Sequence, residues 1–137
     1  MIAFNSITDF KLTNVDAITE WVRFAVLKEE FTAEDINYIF CDDGYLLELN
    51  IKHLKHNTLT DIISFNDSLG RLISGDIFIS IDRVRENATK FNVSFDDELH
   101  RVMIHGILHF CKYNDKTAVE KKVMREKEDY YLSLREL

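Results

Sequence analysis

Between His105 and Asp115 the chain reads HGILHFCKYND, two histidines four residues apart with an aspartate six residues beyond the second. On an α-helix, residues at this spacing sit about 40° apart and one turn above each other, so two imidazoles can grip one ion. The helix is expected to stop at Lys112-Tyr113-Asn114, and a chain turning back there returns the Asp115 carboxylate to the same ion. Two nitrogens and one carboxylate are three protein ligands. That number is found in catalytic zinc sites, which leave a position open, whereas structural sites close with four. Taken alone, Asp115 reads more readily as a cap for a helix near Thr117, and it is the adjacent histidine pair that favours the ligand reading. Cys111 falls about 200° around the helix from His109 and is expected to face the core.

Upstream, Asp96 or Asp97 is expected to cap the helix that carries the histidines, with acidic residues suiting its N-terminal end. On its metal-facing side an ideal helix also places Glu98 and Arg101 within about 40° of His105. Arg101 is then a candidate for contacting a substrate phosphate or pairing with Glu98, against the plainer reading of a surface ion pair. Further back, the chain reads as a strand over 2–8 and a helix over Val15–Lys28 capped by Asn14, with Ile18, Trp21, Val22, Ala25 and Val26 as its apolar stripe. A strand over Ile36–Cys41 and a helix over Tyr45–Leu54 follow. Asp61–Phe65 and Leu72–Ile81 read as two antiparallel strands joined by a turn, then Asp82–Phe91 as a helix. Downstream, Thr117 and Glu120 form a capping box for a charged helix whose expected core contacts are Val119, Val123, Met124, Tyr130 and Leu132. These elements predict an α+β fold with one sheet of about four strands packed with about five helices.

The 137 residues suit a single domain spanning 1–137, with no proline and no composition break to mark a linker. With 46% hydrophobic and 30% charged residues, the chain should fold rather than stay disordered. The first residues lack the basic and apolar regions of a secretion signal and no stretch is long enough to span a membrane, so a cytoplasmic location is expected. Cys41 and Cys111 make no CxxC pair and read as buried thiols. A net charge of −7 argues against coating nucleic acid by bulk positive potential, so any RNA contact must be local or helped by a partner.

The HGILHFCKYND segment resembles the HGxLHLxGYDH signature of the YbeY family of rRNA-maturation endoribonucleases. Two further blocks extend the likeness: Leu49-Asn50 with Thr60-Asp61-Ile62-Ile63-Ser64-Phe65 is similar to LNxxYRxxDxxTDVLSF, and Gly75–Ser80 to GDIxIS. The resemblance implies a zincin-like α+β domain whose roughly four-stranded sheet is mixed in direction and whose metal-binding helix is central. It implies a metal-dependent, single-strand-specific endoribonuclease acting in small-subunit (16S) rRNA 3′-end maturation and ribosome quality control. It further implies a Zn²⁺ ion on His105, His109 and Asp115, rRNA as substrate, and small-subunit ribosomal proteins or an assembly GTPase as partners. No membrane partner is expected, and the oligomeric state is left open. An acidified water on the ion, or the RNA's own 2′-hydroxyl, is the expected nucleophile.

Three departures from the family pattern bear on chemistry. Asp115 stands where the pattern has histidine, which shifts preference toward harder ions and keeps Mn²⁺, Fe²⁺ or Ni²⁺ beside zinc. Leu54 stands where the pattern has arginine, and His56, Arg101 and Lys112 are the candidate replacement cations. Lys112 replaces the glycine at the helix end; it is expected to stay helical while Asn114, which tolerates the left-handed conformation, absorbs the bend. Asp61 or Ser64 is expected to line the cleft, although Asp61 reads equally as a turn cap. The glutamate that serves HExxH proteases as general base is missing, since Gly106 occupies its place. The competing reading from another class is a non-catalytic ribosome-assembly factor with a structural zinc ion. A two-histidine, one-carboxylate iron oxygenase is disfavoured, because its ligands usually come from strands.

Overall fold

In the computed structural model, which describes residues 1–137, four strands form one mixed sheet in the order β1-β2-β4-β3. β1 (Ile2–Ser6), β2 (Thr32–Cys41) and β4 (Leu72–Ser80) run parallel, and β3 (Ile62–Asn66) pairs antiparallel with β4 at one edge. Five α-helices accompany it: α1 (Val15–Lys28), α2 (Asp43–Leu49), α3 (Ile81–Phe91), α4 (Phe95–Phe110) and α5 (Ala118–Ser133). The expected α+β fold, with one four-stranded mixed sheet and five α-helices, is the one found.

Alternation in β2 and β4 explains the layering. Ile36, Tyr38, Phe40, Ile73, Ile77 and Ile79 are buried on one face, where they join Val102, Met103, Ile104 and Ile107 of α4 in the main core. The Tyr38 hydroxyl donates to the Met103 carbonyl at 3.0 Å, tying the middle of α4 to the middle of the sheet. α5 is tied to α1 where Trp21 Nε1 donates to the Tyr131 carbonyl at 2.8 Å. Across the sheet, a small cluster of Cys41, Leu46 and Ile63 seats α2. Gly75 is required where it stands, because an added Cβ would lie 2.3 Å from the Phe65 carbonyl oxygen and 2.7 Å from the Phe110 ring.

Several boundaries differ from expectation for local reasons. β2 begins at Thr32, four residues early, because a register shift between Ala33 and Ile36 interrupts the alternation that marks a strand. The segment after α2 ends in a π-wound turn over Asn50–Leu54, and Asp42, through a 2.8 Å bond from the Tyr45 amide, starts the helix earlier than Tyr45. Asn14 precedes α1 in a left-handed conformation and its side chain makes no cap bond. Ser94, not Asp96 or Asp97, caps α4 by accepting from the Asp97 amide at 3.0 Å; both aspartates lie in the first turn instead. The capping box on α5 is present, but the helix is rotated from the expected register. Met124, Glu128 and Tyr131 are buried, while Val119, Val123 and Tyr130 are exposed. Hydrophobicity alone favours the valines; the polar partners of Glu128 and Tyr131 set the rotation.

Candidate metal centre

α4 delivers His105 and His109 on one side of its last two turns, and the chain reverses directly after it. The Tyr113 amide donates to the Leu108 carbonyl and the Lys112 amide to the His109 carbonyl, each at 3.0 Å, with Lys112 at φ 75°. This is a Schellman ending, which places the left-handed residue immediately after the cap residue Cys111. Lys112 therefore makes the bend, contrary to the expectation that it stays helical and Asn114 turns. Gly106, between the two histidines, lets α4 lie close on the sheet: a Cβ there would be 3.1 Å from the Cδ1 atoms of both Ile62 and Ile77.

The reversal brings Asp115 back to the histidines. Asp115 Oδ2 lies 3.2 Å from His105 Nε2 and 3.4 Å from His109 Nε2, and the two Nε2 atoms are 2.9 Å apart. Four ligands around a tetrahedral ion at about 2.0–2.1 Å are separated by roughly 3.3 Å, so these spacings fit a small divalent cation. The tautomers follow from the partners on the other ring nitrogen. His109 Nδ1 faces the Tyr113 carbonyl at 2.9 Å, and a carbonyl only accepts, so Nδ1 carries the hydrogen. His105 Nδ1 donates in the same way to Glu128 Oε2 at 2.7 Å. In the neutral rings both Nε2 atoms then present lone pairs, and Asp115 adds a third acceptor with no donor among them. Three converging acceptors attract a cation.

Glu128, with its side chain 6% exposed, anchors this arrangement from α5. Its second oxygen accepts from Arg101 at 2.8 Å, and the other arm of that guanidinium pairs with Asp129 at 2.6 Å. Burial alone lowers the His105 imidazole, but the hydrogen bond and charge of Glu128, then the charges of Asp115 and Asp61, outweigh it and raise its pKa. The same surroundings favour any positive charge at this nitrogen, proton or metal ion. On the other side, Tyr113 is held by its hydroxyl donating to Glu29 at 2.6 Å, and Glu29 also accepts from Lys127 at 3.1 Å and from Tyr131.

The cluster opens into a cleft of about 480 Å³ whose wall includes Asp61, Ser64, Glu98 and Arg101 as well as the histidines and Asp115. Burial is the main cause that raises the carboxyl pKa of both Asp61 and Glu98; His105 opposes it at Asp61, and the Asp61 charge reinforces it at Glu98. Asp61, Ser64, Glu98 and Arg101, which the sequence reading grouped with the histidines, thus line the same cleft. Arg101 is nevertheless committed to Glu128 and Asp129, not to Glu98. His56 and Leu54 lie exposed around the end of the π-wound turn and are absent from the cleft wall, as is Lys112, whose ammonium sits 5.9 Å from the Phe31 ring centre. Glu128, Arg125, Asn87 and Phe91, all in the wall, were missed. A carboxylate at the i+4 position from Met124, with Tyr131 three residues on, was the available signal for Glu128.

A sequence profile described as Endoribonuclease YbeY matches residues 4–135. Among curated relatives, the Endoribonuclease YbeY of Flavobacterium johnsoniae is 52% identical over 98% of this chain and 96% of its own length. That of Flavobacterium psychrophilum is 54% identical over the same shares. The solution structure of TM1509 from Thermotoga maritima superposes with a TM-score of 0.69 at 28% identity, covering 97% of this chain and 87% of the other. With the profile spanning nearly all of its length and relatives of this identity bearing one name, the chain belongs to the YbeY family of endoribonucleases.

Proposed function

We propose that the protein is a metal-dependent, single-strand-specific endoribonuclease of small-subunit (16S) rRNA 3′-end maturation and ribosome quality control, with one divalent ion held by His105, His109 and Asp115. The observation that carries the metal site is the convergence of three hydrogen-bond acceptors, at 2.9, 3.2 and 3.4 Å from one another, with both histidine Nδ1 atoms already donating elsewhere. Zinc suits the nitrogen-rich set, and the carboxylate keeps Mn²⁺, Fe²⁺ and Ni²⁺ in contention. When bound, the ion supplies Lewis acidity that acidifies water and neutralises phosphoryl charge.

The chain's own residues do the rest. Glu128 and the Tyr113 carbonyl hold the two imidazoles in the tautomer that leaves Nε2 free. Asp61 and Glu98, raised by burial, exchange protons nearer neutral pH than free carboxyls do. Either can take the proton of the attacking hydroxyl and return one to the leaving ribose oxygen. Arg101 acts by holding Glu128 rather than by touching RNA. Three protein ligands leave a position open, which favours an enzyme over the assembly-factor reading, as does the endoribonuclease name shared by the relatives.

We further infer that residues 1–137 work as one domain in the cytoplasm, where rRNA is processed, and that small-subunit proteins or an assembly GTPase supply positive charge to offset the net −7. No helix is long and apolar enough to cross a membrane. The test is cleavage of single-stranded RNA by protein loaded with a divalent ion. Activity should vanish with chelator and in folded His109→Ala prepared in parallel. Equal activity of wild type and His109→Ala, on RNA and on ribosome-bound precursor, overturns the reading.

A further inference from the structure

The wall of the metal cleft contains one tryptophan, tyrosine or phenylalanine side chain, Phe91, and it is 51% exposed. Phe91 is the last residue of α3 and stands outside the core cluster and the partly buried side chains packed against it. It is not needed to end the helix. That turn is closed by the Asn92 amide donating to Thr89 and the Val93 amide to Ala88, with Asn92 taking the left-handed conformation. With 51% of its surface exposed and no place in the core cluster, the ring forgoes about half of the burial a core phenylalanine gains, so packing alone does not call for an aromatic at this point. Asn87 lies one helical turn earlier on the same face and also lines the cleft. Lys90 places its ammonium 5.6 Å from the Phe91 ring centre. Across the cleft, Arg125 is 58% exposed and its one ion-pair contact, to Glu128, is a loose 3.7 Å.

We propose that Phe91 and Asn87 form a nucleobase subsite: an unpaired base of the RNA stacks on the Phe91 ring, Asn87 hydrogen-bonds the base edge, and Lys90 and Arg125 take the flanking phosphates. The inference rests on the reading of the cleft as a ribonuclease site and adds the group that selects single strands. Aromatic faces bind bases only when these are unstacked from a duplex, and amide side chains carry both a donor and an acceptor for a base edge. The subsite also answers the charge problem. Asp61, Glu98, Asp115 and Glu128 make the floor of the cleft acidic, so holding the strand by its base at the wall supplies affinity that phosphate attraction there does not.

The test uses the full chain loaded with Zn²⁺ and two short 2′-O-methyl oligonucleotides, one with bases and one abasic, in fluorescence anisotropy. Phe91→Ala should weaken binding of the base-containing strand on the order of tenfold or more and leave the abasic strand unchanged. Phe91→Leu should not rescue, whereas Phe91→Trp should. The Phe91→Trp indole should also be quenched by the base-containing strand alone; the other tryptophan, Trp21, is 4% exposed. Asn87→Ala should flatten the preference among homopolymers. If Phe91→Ala binds both strands as wild type does while wild type still cleaves single-stranded RNA, the subsite is wrong and the nuclease reading stands. If wild type neither binds nor cleaves RNA, both fall.

Discussion

Replacing Glu128 by glutamine is the sharpest probe of how the metal centre is built, because the change is nearly isosteric and alters only charge and one hydrogen-bonding atom. Each carboxylate oxygen now serves one donor: Oε2 takes His105 Nδ1 at 2.7 Å and Oε1 takes Arg101 at 2.8 Å. A glutamine keeps one acceptor and turns the other into an N–H that faces an N–H. The side chain is 6% exposed, so water cannot relieve the mismatch. A buried polar group left without its partner costs about 1–3 kcal/mol, and the charge on Arg101 puts this case in the upper half. For a chain of this size about 2 kcal/mol lowers the melting temperature by roughly 5–10 °C. Loosening the group that orients a ligating imidazole should weaken ion affinity about 10- to 100-fold. Thermal unfolding without metal and competition against a chromophoric chelator measure the two effects separately. Combining Glu128→Gln with Arg101→Met removes the facing donor and should recover part of the lost stability. If Glu128→Gln melts within about a degree of wild type and binds the ion within about twofold, the α5 carboxylate does not hold His105, and the account of the site is wrong.

Two further predictions concern the scaffold. His100 is 6% exposed and accepts from Arg135 at 2.8 Å; burial first, and the Arg135 charge second, lower its pKa from 6.5 to about 4. Because the folded value lies below the unfolded one, this contribution to stability is complete above pH 6.5 and is lost as pH falls from there through about 4, by up to about 3 kcal/mol. Melting curves between pH 7.5 and 4.5 should show that loss, and His100→Phe, which keeps an aromatic against Trp21, should flatten it; parallel pH profiles for the two proteins contradict the assignment. Lys112 holds φ 75°, a conformation that costs a side-chain-bearing residue about 1–2 kcal/mol. After the entropy that glycine adds to the unfolded chain, Lys112→Gly should still raise stability by about 0.5 kcal/mol, and a lower melting temperature would show that the Lys112 side chain contributes more than its backbone strain costs.

The parts of this protein that were legible in its sequence are those governed by local spacing. The histidine pair, the apolar stripe of α1 and the capping box of α5 each depend on residues within a turn or two of one another, and each stands where expected. The α5 register was not legible, because it depends on partners 23 and 27 residues away, His105 and Arg101, that make a glutamate a buried residue. Lys112 misled for a related reason: residue preference pointed to Asn114, but the Schellman hydrogen bonds fix the left-handed position by counting from the helix end. The start of β2 was hidden by an irregular register that erases alternation. Arg101 was placed on the correct face by helix geometry, yet geometry on one helix cannot say that two carboxylates of another element claim its donors.

The dependence of His105 on Glu128 also gives the site an order of assembly. His105, His109 and Asp115 all precede α5 in the chain, so a chain ending before Ala118 carries every proposed ligand but not the carboxylate that fixes one of them. Tyr113, which holds His109, depends on Glu29, and Glu29 is completed by Lys127 and Tyr131 of the same late helix. Both imidazoles are thus held open to fluctuation until the last helix docks. The two histidines of α4 are therefore fixed from outside their own helix, so whatever loosens α5 loosens the three converging side chains before it disturbs the sheet beneath them.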